Sequence, residues 1–172
     1  MPAPAPVLLP DPSPALVASA RAAAARMAGL SFVNPALAVE AVGFAPCDGR
    51  WLGVLVTPWS MNLVAAPADP RAWPAVAPGA KLRLSFPAGE FEFVGARDAT
   101  AGEHLACSLF SPVLEFADQA TARAVAQHAL VALLDPRTAD EPGPIERRVA
   151  APLSRRDLLR GRLSRGDDDA RG

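Results

Sequence analysis

A chain of 172 residues that is 51% hydrophobic has ample material for one core, and its length fits a single domain with appendages. Its formal net charge of -1 excludes a generally basic nucleic-acid binder. The 2 cysteines, Cys47 and Cys107, lie far apart with no C-x-x-C, which excludes a sequence-local zinc or iron–sulfur site and points to a reducing compartment.

The N-terminal MPAPAPVLLPDP has no basic residue ahead of its apolar part, unlike a secretory signal. No apolar stretch approaches the ~20 residues of a membrane span. A soluble, cytoplasmic protein without membrane insertion is therefore expected. Residues 1–12, punctuated by proline, read as a flexible, extended arm. A domain over 13–136 follows. Ser13 can cap a helix and Pro14 fits its first turn, so a helix is predicted through ALVASARAAAARMA, stopping near Gly29. Leu16, Ala20, Ala24 and Met27 form its apolar side. Asn34-Pro35 opens only a short turn. Val39 to Ala45 is a strand, and Asp48-Gly49 marks a tight hairpin into the strand that starts at Trp51.

From Trp51 to Pro67 runs the longest apolar stretch, WLGVLVTPWSMNLVAAP. Pro58 cannot donate to a sheet ladder and forces extended geometry on Thr57. The stretch therefore reads as two strand-like segments meeting at a kink, with Trp59 turned out of the pleat. Residues 67–78 form a loop carrying Trp73-Pro74. Lys81 to Phe86 and Glu90 to Val94 alternate wet and dry faces, and Leu105 to Phe110 is a further strand. Asp118 caps a second helix, QATARAVAQHALVALL, apolar at Val125, Ala129 and Leu133. The expected fold is α+β, a meander-like antiparallel sheet of about five to six strands with an N-terminal and a C-terminal helix packed on it. Residues 137–172 have few core-forming side chains and read as a flexible Arg-containing tail, mildly basic beside a mildly acidic body.

Little in the chain points to catalysis. There is no G-x-S-x-G, no phosphate-cradling loop and no dinucleotide fingerprint. His128 lies among apolar helix positions and reads as structural. His104 precedes Cys107 by an odd spacing, so in a strand the two point to opposite faces and do not make a dyad. Glu90 and Glu92 share a face but lack the opposed environments that an acid/base pair needs. The residues favour a binding protein without a cofactor. Two rivals remain: an enzyme using Cys107 as a thiol nucleophile with a sequence-distant partner, and an interaction module whose tail binds an anionic surface.

The segments TPWSMNLV, Trp73-Pro74, LSFPAGEFEF and HLACSLFSP resemble, in order, the HybE/HupJ family of NiFe-hydrogenase assembly chaperones. The resemblance runs from about Leu30 through the last helix. It implies a cytoplasmic, non-enzymatic accessory protein that attends the hydrogenase small-subunit precursor, or the small–large pair, before twin-arginine export. Some relatives carry a fused rubredoxin-type domain with two C-x-x-C pairs; this chain has none, so no iron is carried over. The expected partner surface is Trp51, Pro58, Trp59, Met61 and Trp73 with Asn62 as a polar contact. Core packing is the alternative reading of each. In the tail, Ser154, Arg155, Arg156, Leu158, Leu159 and Arg160 resemble the twin-arginine signature, with Leu for Phe and Arg for Lys. Its C-terminal place, followed by GRLSRGDDD, rules out a working signal, leaving a mimic of the cargo or a solvated tail that matches by chance.

Overall fold

The computed structural model describes residue 1 and residues 7–139. Helix α1 (Ser13–Met27) leads to strands β1 (Glu40–Cys47), β2 (Arg50–Val56), β3 (Met61–Pro67), β4 (Lys81–Phe86), β5 (Gly89–Asp98) and β6 (Gly102–Phe110). Helix α2 (Gln119–Leu133) and a short 3-10 turn (Pro136–Ala139) follow. The six strands form one sheet in the order β1-β2-β3-β6-β5-β4, every neighbouring pair antiparallel. The α+β class, the strand count and the two flanking helices are as expected. The order is not a plain meander: two three-stranded meanders join through β3 and β6.

Local chemistry explains most of the elements. Asp48 and Gly49 both take positive φ, 49° and 77°, which is the twist a two-residue hairpin requires, and Cys47 pairs with Arg50 across it. In β1 the register slips between Val42 and Ala45, so Gly43 and Phe44 together oppose Gly53. Gly43 has φ 65°, and a Cβ there would lie 2.6 Å from Leu130 of α2. A Cβ on Gly53 would lie 2.3 Å from the Phe44 ring, so this pair interlocks only because Gly53 has no side chain. Asp118 caps α2 as expected, accepting the Thr121 N–H at 2.7 Å. At α1 the cap differs from the expectation. Pro12 is the capping residue, and it is Asp11, not Ser13, that accepts, taking both the Ser13 N–H at 2.8 Å and its hydroxyl at 2.6 Å.

The pleat sorts the core. Leu52, Val54 and Val56 of β2 face the same side as Met61, Leu63 and Ala65 of β3, and this side continues through Leu105, Cys107, Phe93 and Phe91. Helix α2 covers it with Leu133 and with Ala122 and Ala126, whose small side chains let helix and sheet approach closely. Its buried stripe is therefore turned from the expected one, with Val125 and Ala129 only half-buried. On the opposite side Val64 and Ala66 are buried together with Leu16 and Ala20 of α1, while the β4 end carries exposed Lys81, Arg83, Glu90 and Glu92.

Two polar clusters fix what the helices leave loose. Glu40 accepts from Arg123 Nε at 2.6 Å and Gln119 Nε2 at 2.6 Å, tying β1 to the first turns of α2. Asn34, 6% exposed, holds the segment between α1 and β1. Its N–H donates to the Pro58 carbonyl at 2.7 Å, and its Nδ2 donates to the carbonyls of Val113 at 2.9 Å and Phe116 at 2.8 Å. Its Oδ1 accepts the Ala36 N–H at 2.9 Å. The Asn34-Pro35 turn thus does far more than open a turn: one buried residue joins three segments, reaching Pro58 through its backbone N–H and Val113 and Phe116 through its side chain.

Asn34→Ala strips the partners from two carbonyls and is expected to cost about 1–3 kcal/mol, read as a lowered urea midpoint with unchanged slope. The hydrogen bond from Arg123 holds the Glu40 carboxyl below its ordinary 4.5, against burial, with help from Gln119. A carboxyl whose folded value is depressed stabilises fully above the unfolded value, and loses that stabilisation as pH falls through the folded one. Glu40→Gln should therefore unfold at lower urea than the native chain at pH 7, with the gap closing as pH falls below about 4.

Candidate functional site

The kink expected at Pro58 is a complete chain reversal. Val56 pairs with Met61, and Pro58-Trp59 is a two-residue link between adjacent antiparallel strands. The Thr57 N–H donates to the Ser60 carbonyl at 2.8 Å. The return bond is made by a side chain: the Thr57 hydroxyl accepts the Ser60 N–H at 3.0 Å and donates to the Ser60 carbonyl at 3.0 Å. Thr57, Pro58 and Ser60 are buried, and Asn62 Nδ2 reaches Ser60 Oγ at 3.3 Å. Pro58 suits the first corner of such a turn because its φ is preset, and its own carbonyl is taken by Asn34. Trp59 is left half-buried at the tip.

Asn34 gathers two further loops at this end of the sheet, and both carry exposed apolar side chains. Phe32, two residues before Asn34, is 44% exposed, and Leu30 is 46% exposed. Leu114, next to the Val113 carbonyl that Asn34 holds, is 50% exposed. Phe32, Trp59 and Leu114 are therefore presented from three segments bonded through one buried residue, the Trp59 turn by the Asn34 backbone N–H and the Leu114 loop by its side chain. Exposed apolar side chains on loops bonded to one another are a mark of a partner surface.

The expected surface does not survive as one patch. Pro58, Trp59, Met61 and Asn62 lie at this end, and of these Trp59 stands half-buried at the tip. Met61 is 0% exposed and lies in the core against Val56, and Pro58 is buried. Asn62 is half-buried on the α1 side of the sheet. Trp73, half-buried, packs onto the main core from the loop between β3 and β4. Trp51 sits at the other end of β2, roughly 20 Å from the turn at about 3.3 Å per residue. The reason is the reversal at Pro58, which turns a run that looked like one surface into two paired strands. Phe32 and Leu114 carry no local signal, because the loops that hold them are far apart in sequence and are bonded through Asn34. Residues 154–160, the proposed twin-arginine mimic, lie outside the described residues.

The chemistry-bearing side chains are arranged for structure. Burial, and then the charge of Glu92, pushes the Cys107 thiol up to about 11, far from thiolate chemistry at neutral pH. Cys107 stands opposite Leu63, facing the core, whereas His104 stands opposite Ala96 with Nδ1 3.1 Å from the Gly102 carbonyl. They point to opposite sides, as the odd spacing requires. Glu92 pairs with Lys81 at 2.8 Å and Glu90 lies 3.9 Å from Arg83, both on the exposed face. Hydrogen bonding from Lys81 holds the Glu92 carboxyl below its ordinary value. Among the described residues no helix is long and apolar enough to cross a membrane.

Comparison with known proteins agrees with the resemblance carried by TPWSMNLV and its companions. The family model for the NiFe-hydrogenase assembly chaperone HybE matches residues 11–161. The hydrogenase expression/formation protein HupJ of Bradyrhizobium diazoefficiens is 42% identical over 138 residues, 80% of each chain. The hydrogenase expression/formation protein HoxT of Azotobacter vinelandii is 43% identical over 150 residues, 87% of this chain and 94% of its own. The solution structure of HybE from Escherichia coli superposes with a TM-score of 0.60 at 27% identity, covering 72% of this chain and 77% of that one. With the sheet, the flanking helices and the sequence in agreement, this chain belongs to the HybE family of NiFe-hydrogenase assembly chaperones.

Proposed function

We propose that this chaperone acts by binding alone, in the cytoplasm, on the precursor of the hydrogenase small subunit or on the small–large pair before twin-arginine export. The client contact is the apolar end formed by Phe32, Trp59 and Leu114. The observation that carries the reading is the exposure of Phe32 and Leu114, with Trp59 half-buried, on segments bonded by Asn34. Apolar side chains held rigid in water bind with little further loss of conformational entropy. A twin-arginine precursor offers a complementary apolar stretch, and a half-buried Trp is the side-chain type most often dominant in such contacts. The twin-arginine-like tail enters this proposal only as a competitor for the same site.

Co-purification of a tagged small-subunit precursor with the full chain tests this. Trp59→Ala should weaken retention by about 2 kcal/mol, roughly thirtyfold, and Phe32→Ser with Leu114→Ser should act in the same direction. Unfolding midpoints near that of the native chain are expected, since these side chains are not in the core. Undiminished retention by the folded triple variant would exclude this end as the client site. Parallel captures with the mature small subunit and with the large subunit alone identify which chain is held.

A further inference from the structure

At the end of the sheet away from Trp59, the chain binds a piece of itself through main-chain groups. The Leu9 N–H donates to the Ala68 carbonyl at 2.7 Å, and the Leu9 carbonyl accepts the Trp51 indole N–H at 3.0 Å. Both main-chain groups of one residue are thus read at once, as a neighbouring strand would read them. Leu8 and Val7 contribute little, being 50% and 86% exposed, while Leu9 itself is 37% exposed and partly covered. The receiving surface is firm. Ala68 is 1% exposed, and its N–H and that of Asp69 both donate to the Gly49 carbonyl of the β1–β2 turn, at 3.1 and 2.8 Å.

The occupant is also suited to leave. Pro10 confines Leu9 to extended geometry but has no N–H of its own, so the strand-like contact stops after one residue. A continuous apolar segment without that proline would present further N–H groups along the same line. We propose that Trp51 and the Ala68 carbonyl form a recognition site for an extended apolar peptide segment, occupied in cis by residues 7–10 until a client segment replaces them. Strand addition of this kind takes its affinity from the main chain and tolerates many side chains. The identity of the client rests on the function proposed above; the existence of the site does not.

The test uses the full chain and a fluorescein-labelled peptide copying residues 7–12 as the probe, followed by anisotropy. Leu9→Pro removes the donating N–H, vacates the site and should tighten probe binding at least tenfold. Leu9→Ala keeps the N–H and should stay within twofold of the native chain. Adding Trp51→Phe to Leu9→Pro keeps the aromatic packing but removes the indole donor, and should reverse the gain. In the Leu9→Pro protein the Trp51 indole proton should also exchange faster with solvent, a readout independent of the probe. Probe binding unchanged by Leu9→Pro, or a gain that survives Trp51→Phe, would overturn the proposal. So would a native dimer that Leu9→Pro dissociates, since the arm would then serve a second copy. Competition by the hydrogenase signal segment joins this site to the client; binding of the probe without such competition retains the site and counts against the client reading.

Discussion

Strands β3 and β6 are distant in the chain, and their pairing is the contact on which the rest of the domain depends. Leu63 lies opposite Cys107 and Ala65 opposite Leu105, all buried, so the seam between the two three-stranded meanders is also the middle of the core. The link between β3 and β4 must therefore cross the sheet, and it does so tightly: a Cβ on Gly95 would lie 2.5 Å from the Ala77 carbonyl oxygen. Trp73 packs inward from the same link, which is why this aromatic serves the fold.

A sheet built this way has two exposed edges, and both are guarded. β1 carries the bulge at Gly43-Phe44 and Pro46, which spoil a regular ladder. β4 carries Lys81 and Arg83, whose charges are set against Glu92 and Glu90 of β5. Neither edge is thereby a ready template for a further strand. At one end Asn34 bonds three loops together and sets out Phe32, Trp59 and Leu114; at the other Trp51 and Ala68 hold the N-terminal arm.

The buried Asn34 amide shows how a polar group becomes a structural anchor. Both Nδ2 protons and Oδ1 are satisfied, and among the described residues no buried side-chain nitrogen or oxygen lacks a partner. A fully satisfied network of this kind admits few alternative arrangements, because any shift strands a donor or a carbonyl away from water. It gives the apolar end a rigidity that loops of this length do not have by themselves.

By itself the sequence determined the parts governed by short-range chemistry. The alternation in β4 and β5, the Asp48-Gly49 hairpin, the Asp118 cap and the opposite facing of His104 and Cys107 follow from pleat, turn and capping rules that act within a few residues. The ordered motifs TPWSMNLV to HLACSLFSP likewise carried the family. Tertiary structure alone decided where those parts meet. The reversal at Pro58-Trp59 lacks the Gly or Asn that usually marks a two-residue hairpin, because the Thr57 hydroxyl supplies the missing bond. The role of Asn34 was illegible because its partners, Val113 and Phe116, lie far along the chain. Trp51 and Trp59 look like one surface in the linear run. Pairing of β2 with β3 sets them at opposite ends of a strand, since a folded hairpin separates its tip from its base by the length of the ladder.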